Sequence, residues 1–549
     1  MNTMTALIGR RAIIDYARKP LNLVMLVAVP VVLVFVWGPS MADFSKLLGG
    51  TGNRGQLEAA TAGWAAAALA GLAGFFQVTG SRSADRRLTA AVGRSGPVVA
   101  GRLGASFGLA LVAAAGGLIA LAARGGITDP ARAVAATVVI AIIYLSFGVL
   151  VATVVRSEMN GALLVTLAWV FDVFFGPALG PASTAMTRVF PLHFPTLVLI
   201  GQASGHGGPL GDVGWSMAWA VGLSVLAVVR LSSMNRPTRA PGALKAGAAT
   251  HRAPTPAPAS ALRPAIAPSS KRPSMPVNSP LDVAATARLA PSSDDAPVSA
   301  RLMAVLRAGM REYRRNRVLW AILVVVPAVF IAMAVLVTVD KPGPVAVVEG
   351  ARHFTAYLSE RRMHAATMVP VTAAFLAGLT GLFVVTGSAA GDRRLVLAGM
   401  RPREVLAGRL GVITTATVVA TAIAVVVSGV WYPPRQWLIF IGANLLIALT
   451  YAMIGTLVGP LTGRLGGLYL ILLLAFIDVG LGQNIMIPNG PPAWGAFLPA
   501  RGTSRVMIDG AFTAHFDQVG YLLLGLAWLA AFTTVTAVVF RRRTGTARR

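Results

Sequence analysis

Apolar runs of about 18 residues or more, long enough to cross the hydrocarbon core as helices, recur along this chain between short charged or Pro/Gly-rich segments. The first occupies 20–38, behind a segment 1–19 that reads as a short interfacial helix. Runs follow at 62–79 and 98–122, then a fourth ending near Val155, then 160–179 and 213–232. After residues 234–299 the plan repeats, at 318–339, 366–387, 406–430, 437–459, 464–482 and 518–540. Before the last run of each half lies an apolar segment too short to cross: Val189 to Ile200 in the first half, matched by Leu498-Pro499 to Ile508 in the second. The pattern predicts an all-α polytopic membrane protein of about 12 transmembrane helices, arranged as two parallel six-helix repeats with interfacial and short coupling helices. The halves are 1–233 and 300–549; the twelve prolines of 234–299 and its lack of apolar periodicity mark a disordered linker reaching roughly 45 Å.

The repeat is read most directly from two connectors. TGSRSADRRLTAAVGRSGPVVAGRLG at 79–104 aligns without a gap on TGSAAGDRRLVLAGMRPREVLAGRLG at 386–411, 307 residues on. A second match, Tyr16-Ala-Arg-Lys before a run with Pro30 against Tyr313-Arg-Arg-Asn before a run with Pro327, has an offset of 297. The first external loop of the second half is therefore about ten residues longer. The recurrence also argues against a signal peptide, as does the length of the first run. Before the second half, Leu302, Val305, Leu306, Gly309, Met310 and Tyr313 form one stripe with Arg307, Arg311, Arg314 and Arg315 off it, the pattern of an amphipathic interfacial helix. An even number of spans per half puts both termini in the cytoplasm and the pseudo-two-fold axis along the membrane normal.

Charge refines the picture. Only 12% of residues are charged, against about 25% in soluble domains, and the mean hydropathy is +0.70. The net charge of +28 sits in alternate connectors and tails, so the positive-inside rule accounts for it without nucleic acid. There is no cysteine, hence no disulfide or thiolate chemistry, and the six histidines show no metal-binding spacing. No GxxxxGK[ST] phosphate loop occurs.

The interfacial helix, the DRRL connector and the external non-crossing stretch, each present twice, resemble the permease of an ABC-type exporter of the type-2 (ABCG-like) fold. Two such six-span halves fused are similar to actinobacterial tetronasin and multidrug exporter permeases. The resemblance implies a multi-pass protein of the bacterial plasma membrane that extrudes hydrophobic drugs or antibiotics and confers resistance. It implies separate ABC ATPase subunits, two copies, with ATP and magnesium bound on them and none by this chain. Its connectors would be coupling helices, making Asp85, Arg86, Arg87, Leu88, Asp392, Arg393, Arg394 and Leu395 the docking candidates. Its second and fifth spans would line a path for lipophilic substrate, with Phe76, Gln77, Phe383, Phe171, Phe175 and Phe476 as candidates.

Asp172 and Asp478 also belong to that path on sequence grounds. They are the only acids well inside predicted spans, they correspond across the repeat, and a mid-helix aspartate costs about 3 kcal/mol to insert. Either each binds cationic substrate or makes a gating hydrogen bond, or each reaches interface water or a helix N-terminus. A major-facilitator, proton-coupled carrier stands as the alternative function, since those proteins also have six-plus-six spans and an Asp-Arg motif between the second and third. A membrane enzyme on lipid-linked substrates would need acidic or His clusters, and only Asp294-Asp295 in the linker is offered.

Overall fold

The computed structural model describes residues 2–18, 20–47, 50, 52–180, 185–235, 298–315, 317–349, 352–486 and 491–545. Nearly all of the 234–299 linker, Asp294-Asp295 included, lies outside the described residues. Among those described, nine helices are long and apolar enough to cross a membrane. A tenth span results if Ser299–Arg315 and Trp320–Leu336, bent by 65°, count as one.

In the first half α1 (Asn2–Ala17) leads into α2 (Pro20–Val32), which continues through a π-helical turn (Leu33–Trp37) into α3 (Gly38–Leu47). The first span thus runs past its predicted limit and takes in Asp43 and Lys46. Then come α4 (Arg54–Val92), α5 (Gly96–Gly125), α6 (Pro130–Val154), α7 (Glu158–Phe174), the short α8 (His193–Ile200) and α9 (Gly211–Met234). The second half holds α10 (Val298–Arg315), α11 (Arg317–Val337), strands β1 (Pro342–Glu349) and β2 (Arg352–Ser359), α12 (Glu360–Leu397) and α13 (Pro402–Trp431). It ends with α14 (Trp437–Leu474) and the π-helical Ala475–Gly482, then α15 (Arg501–Phe512) and α16 (Val519–Gly545). Local chemistry sets several starts. Asn53, Asp129, Ser157 and Ser359 each accept a backbone N–H three residues on, satisfying donors that a helix leaves open.

Three elements depart from the periodicity. The longer loop of the second half is an antiparallel hairpin, in register from Pro342↔Ser359 to Glu349↔Arg352. Pro342 and Pro344 lack the N–H a helix needs there, and the valines that follow favour strand. The predicted spans 437–459 and 464–482 are two helices that follow each other with no loop, kinked at Gly463, whose φ of 75° is left-handed. The connectors, expected as separate short helices, are continuations of the second span of each half. α4 has 39 residues, about 58 Å at 1.5 Å per residue, against roughly 30 Å of hydrocarbon. Nothing between Ser81 and Val92 breaks a helix, and the chain turns only at Gly93, with φ of 70°. α12 continues in the same way to Leu397.

α4 and α12 form the centre: 89% and 94% of their apolar stretches are buried, against 17% and 11% for the spans that include α9 and α16, which are the rim. The repeat is visible in packing detail. A Cβ on Gly148 of α6 would collide with the Gly71 carbonyl of α4, and one on Gly455 of α14 with the Gly378 carbonyl of α12. Only glycine allows helices to cross so closely. The halves meet where α7 contacts α11 and where α14 contacts α2 and α4.

Candidate functional site

Both connectors have the same internal construction. Asp85 is 4% exposed and Asp392 2%. Ser81 Oγ donates to Asp85 Oδ2 at 2.6 Å, and Arg102 Nε and Nη2 reach its Oδ1 at 3.0 and 2.9 Å. In the other half Ser388 Oγ donates to Asp392 Oδ2 at 2.8 Å, and Arg409 Nε and Nη2 donate to its Oδ1 at 3.0 and 2.8 Å. Four of the eight docking candidates, Arg86, Arg87, Arg393 and Arg394, point outward and are exposed. Leu88 is exposed and Leu395 half-buried. The acid of each DRRL motif therefore turns into the protein while its two arginines face out, joined by Leu88 in the first connector.

The second part of the repeated segment, Ala-Gly-Arg-Leu-Gly, supplies the other half of this arrangement. Its arginine is the partner just described, and its glycine admits the interfacial helix. A Cβ on Gly101 would stand 2.8 Å from the Thr5 carbonyl oxygen of α1, and one on Gly408 2.8 Å from Val305 Cβ of α10. The stripe foreseen on α10 is accordingly buried at Val305, Gly309 and Tyr313, with Arg307, Arg311, Arg314 and Arg315 exposed.

Between the connectors lie two related cavities, of 540 and 320 Å³, within the usual range for small-molecule sites. The larger is lined by Tyr16, Phe76, Gln77, Ser81 and Arg102, and the smaller by the matching Tyr313, Phe383, Val384, Ser388 and Arg409. Three of the predicted path residues, Phe76, Gln77 and Phe383, thus line cavities. Glu158 and Arg464 border both cavities and form an ion pair that joins the halves. They were not singled out as a pair from the sequence. The signal was present: Glu158 and Arg464 are 306 residues apart, as are Asp172 and Asp478. Equivalent positions beside a two-fold axis meet each other, and like charges there would repel; opposite charges attract.

Beyond the cavities the seam is closed by rings from both halves. The two π-helical turns meet through Trp37 and Phe476, 6.1 Å apart. Phe174 and Phe375 flank Phe476 at 6.3 and 6.1 Å, and Phe171 lies 5.8 Å from Phe330. Phe171 and Phe175 edge a gap of 20 Å³, and Phe476 one of 30 Å³. Across this seam Tyr469 Oη donates to the Leu69 carbonyl at 3.1 Å.

The paired aspartates border none of these spaces. Asp172 accepts from Tyr144 Oη and, at 3.0 Å, from the Leu192 N–H that opens α8. Asp478 accepts from Tyr451 Oη and the Ala500 N–H before α15, each at 2.9 Å, and from Gln483 Nε2 at 3.2 Å. The carboxylates tie α6 to the start of α8 and α14 to the start of α15, the helix-N-terminus alternative of the two weighed from sequence. Tyr144 and Tyr451, 307 apart, carried the signal for these partners. In α8 itself His193, fully buried, shares its Nε2 with His206 Nε2 at 3.0 Å and its Nδ1 with Thr187 Oγ1 at 2.9 Å. Burial, then His206, lowers the His193 pKa to about 4. No group of three or more metal-ligating side chains occurs among the described residues. Compared with known proteins, the chain matches no family model and no curated sequence.

Proposed function

We propose that this chain is the permease of an ATP-driven exporter of lipophilic small molecules, moved by separate ATPase subunits that dock on its two connectors. The observation that carries the reading is the pair of helical extensions at one end of the bundle. Each is longer than a membrane requires, braced by a buried acid–arginine pair, and tipped with two exposed arginines. Two equivalent rigid handles beside two equivalent cavities suit a machine worked by two copies of one partner. ATP and magnesium belong to that partner, for which this chain has no phosphate loop. Twelve spans follow if the bent pair of α10 and α11 supplies one, α7, of 17 residues, crosses, and the helices on either side of Gly463 each cross. The connector end is then cytoplasmic, which also places the arginines of α10 and of 541–543 there.

The test is uptake of a fluorescent lipophilic dye into inside-out vesicles from cells that make the protein. Uptake should need ATP and persist when a protonophore collapses the proton gradient. Replacing Arg86, Arg87, Arg393 and Arg394 by Ala should abolish it while the permease still inserts. Uptake that follows the proton gradient without ATP would establish the carrier alternative instead, and undiminished ATP-driven uptake in the quadruple variant would remove the docking role.

A further inference from the structure

Among the described residues, the seam holds a buried imidazole with a ring nitrogen that has no hydrogen-bond partner. His364, near the start of α12, is 1% exposed. Its Nδ1 lies 2.7 Å from Thr338 Oγ1, and that hydroxyl lies 2.6 Å from the Ala334 carbonyl oxygen. A hydroxyl has one proton, and a carbonyl only accepts. Thr338 therefore donates to Ala334 and accepts from Nδ1–H. Desolvated among aromatic rings, with Phe44 edge-on at 5.3 Å, the imidazole is neutral, because a charge there would go uncompensated. With the proton on Nδ1, Nε2 is a bare acceptor. It is buried and has no hydrogen-bond partner among the described residues.

His364 edges the 20 Å³ gap shared with Phe171, Phe175, Phe330 and Met368. Such a volume holds about one water. Phe171 and Phe330 belong to different halves, so a separation of the halves would widen the gap into an apolar, ring-lined site with the His364 imidazole in its wall. We infer that His364 Nε2 selects, among lipophilic substrates, those that carry a hydroxyl or N–H donor. The inference rests on the transport reading and names the chemistry its substrate must have. A buried acceptor that a ligand leaves unmet penalises that ligand strongly, which makes such a group more discriminating than the surrounding rings.

A matched pair of probes tests this on the full-length chain in lipid nanodiscs: 1-hydroxypyrene and 1-methoxypyrene, by fluorescence anisotropy against empty discs. The hydroxyl probe should bind about tenfold more tightly. His364→Phe, which keeps a ring, should bring the two affinities together by weakening only the hydroxyl probe. His364→Gln, whose amide oxygen accepts, should retain part of the preference. Equal affinities in the unaltered protein would mean that a water satisfies Nε2, and would overturn the inference. So would a preference that survives His364→Phe, or failure of the unaltered chain to bind either probe. Any of these alongside intact ATP-driven dye uptake leaves the transport reading standing. Loss of that uptake with an intact hydroxyl preference removes transport and keeps the site.

Discussion

The brace inside each connector makes an asymmetric prediction. Among the described residues, Arg102→Met removes the one cation bonded to Asp85, a side chain 5% exposed, and leaves its carboxylate with Ser81. Stranding a buried charge in this way costs about 3–5 kcal/mol. Asp85→Asn strands Arg102 instead, but that side chain is 13% exposed and long enough to carry its guanidinium toward water, so the cost is about 1–2 kcal/mol. Combining the two removes the stranded charge, and the double variant should recover about 2–3 kcal/mol relative to the sum of the singles. The assay is thermal unfolding of the purified protein, with trypsin cleavage at Arg86 and Arg87 as a local readout. Arg102→Met should melt lowest and be cut fastest, Asp85→Asn should lie nearest the unaltered protein, and the double variant should lie between the two singles. The same order is expected for Asp392 and Arg409. If Arg102→Met is as mild as Asp85→Asn, or the singles add, then Asp85 is not held inside and the account of the connector fails.

Three further outcomes follow from the geometry. Glu158→Arg and Arg464→Glu should each weaken the join between the halves by about 1 kcal/mol, as partly exposed pairs do, and the swapped double variant should restore the melting temperature; a swap as damaging as the singles would refute the pair. Asp172→Ala leaves Tyr144 Oη and the Leu192 N–H without their shared acceptor, at about 1–3 kcal/mol per group. Asp172→Asn should be much milder, because a tyrosine hydroxyl can also accept, and equal stabilities of the two variants would count against the tie. His193 is neutral in both folded and unfolded chains above about pH 6.5; between there and about 4 only the unfolded chain gains the proton, so stability should fall as pH drops through that window. His193→Gln should flatten this part of the pH–melting profile, and an unchanged slope would exclude His193 as its source.

The in-register DRRL segments disclose from sequence alone that the chain is built twice, and that repeat pairs Asp172 with Asp478 and Phe76 with Phe383. Hydrophobic run length is a local property and is nearly sufficient for membrane spans, because lipid forces each segment to satisfy its own backbone. The stripe on α10 was legible for the same reason. What a side chain touches was not legible, since that depends on segments far apart in the chain. Nothing local distinguishes an aspartate that faces a partner from one that turns inward to an arginine 17 residues later, so the acid of DRRL looked like a docking group. Asp172 looked equally suited to substrate or to structure until the N-terminus of α8 was brought against it. Sequence alone determined the duplicated membrane plan and its candidate pairs. Only tertiary packing decided that Glu158 meets Arg464 between the halves and that His364 is left with an open acceptor, because both depend on how two distant halves are pressed together.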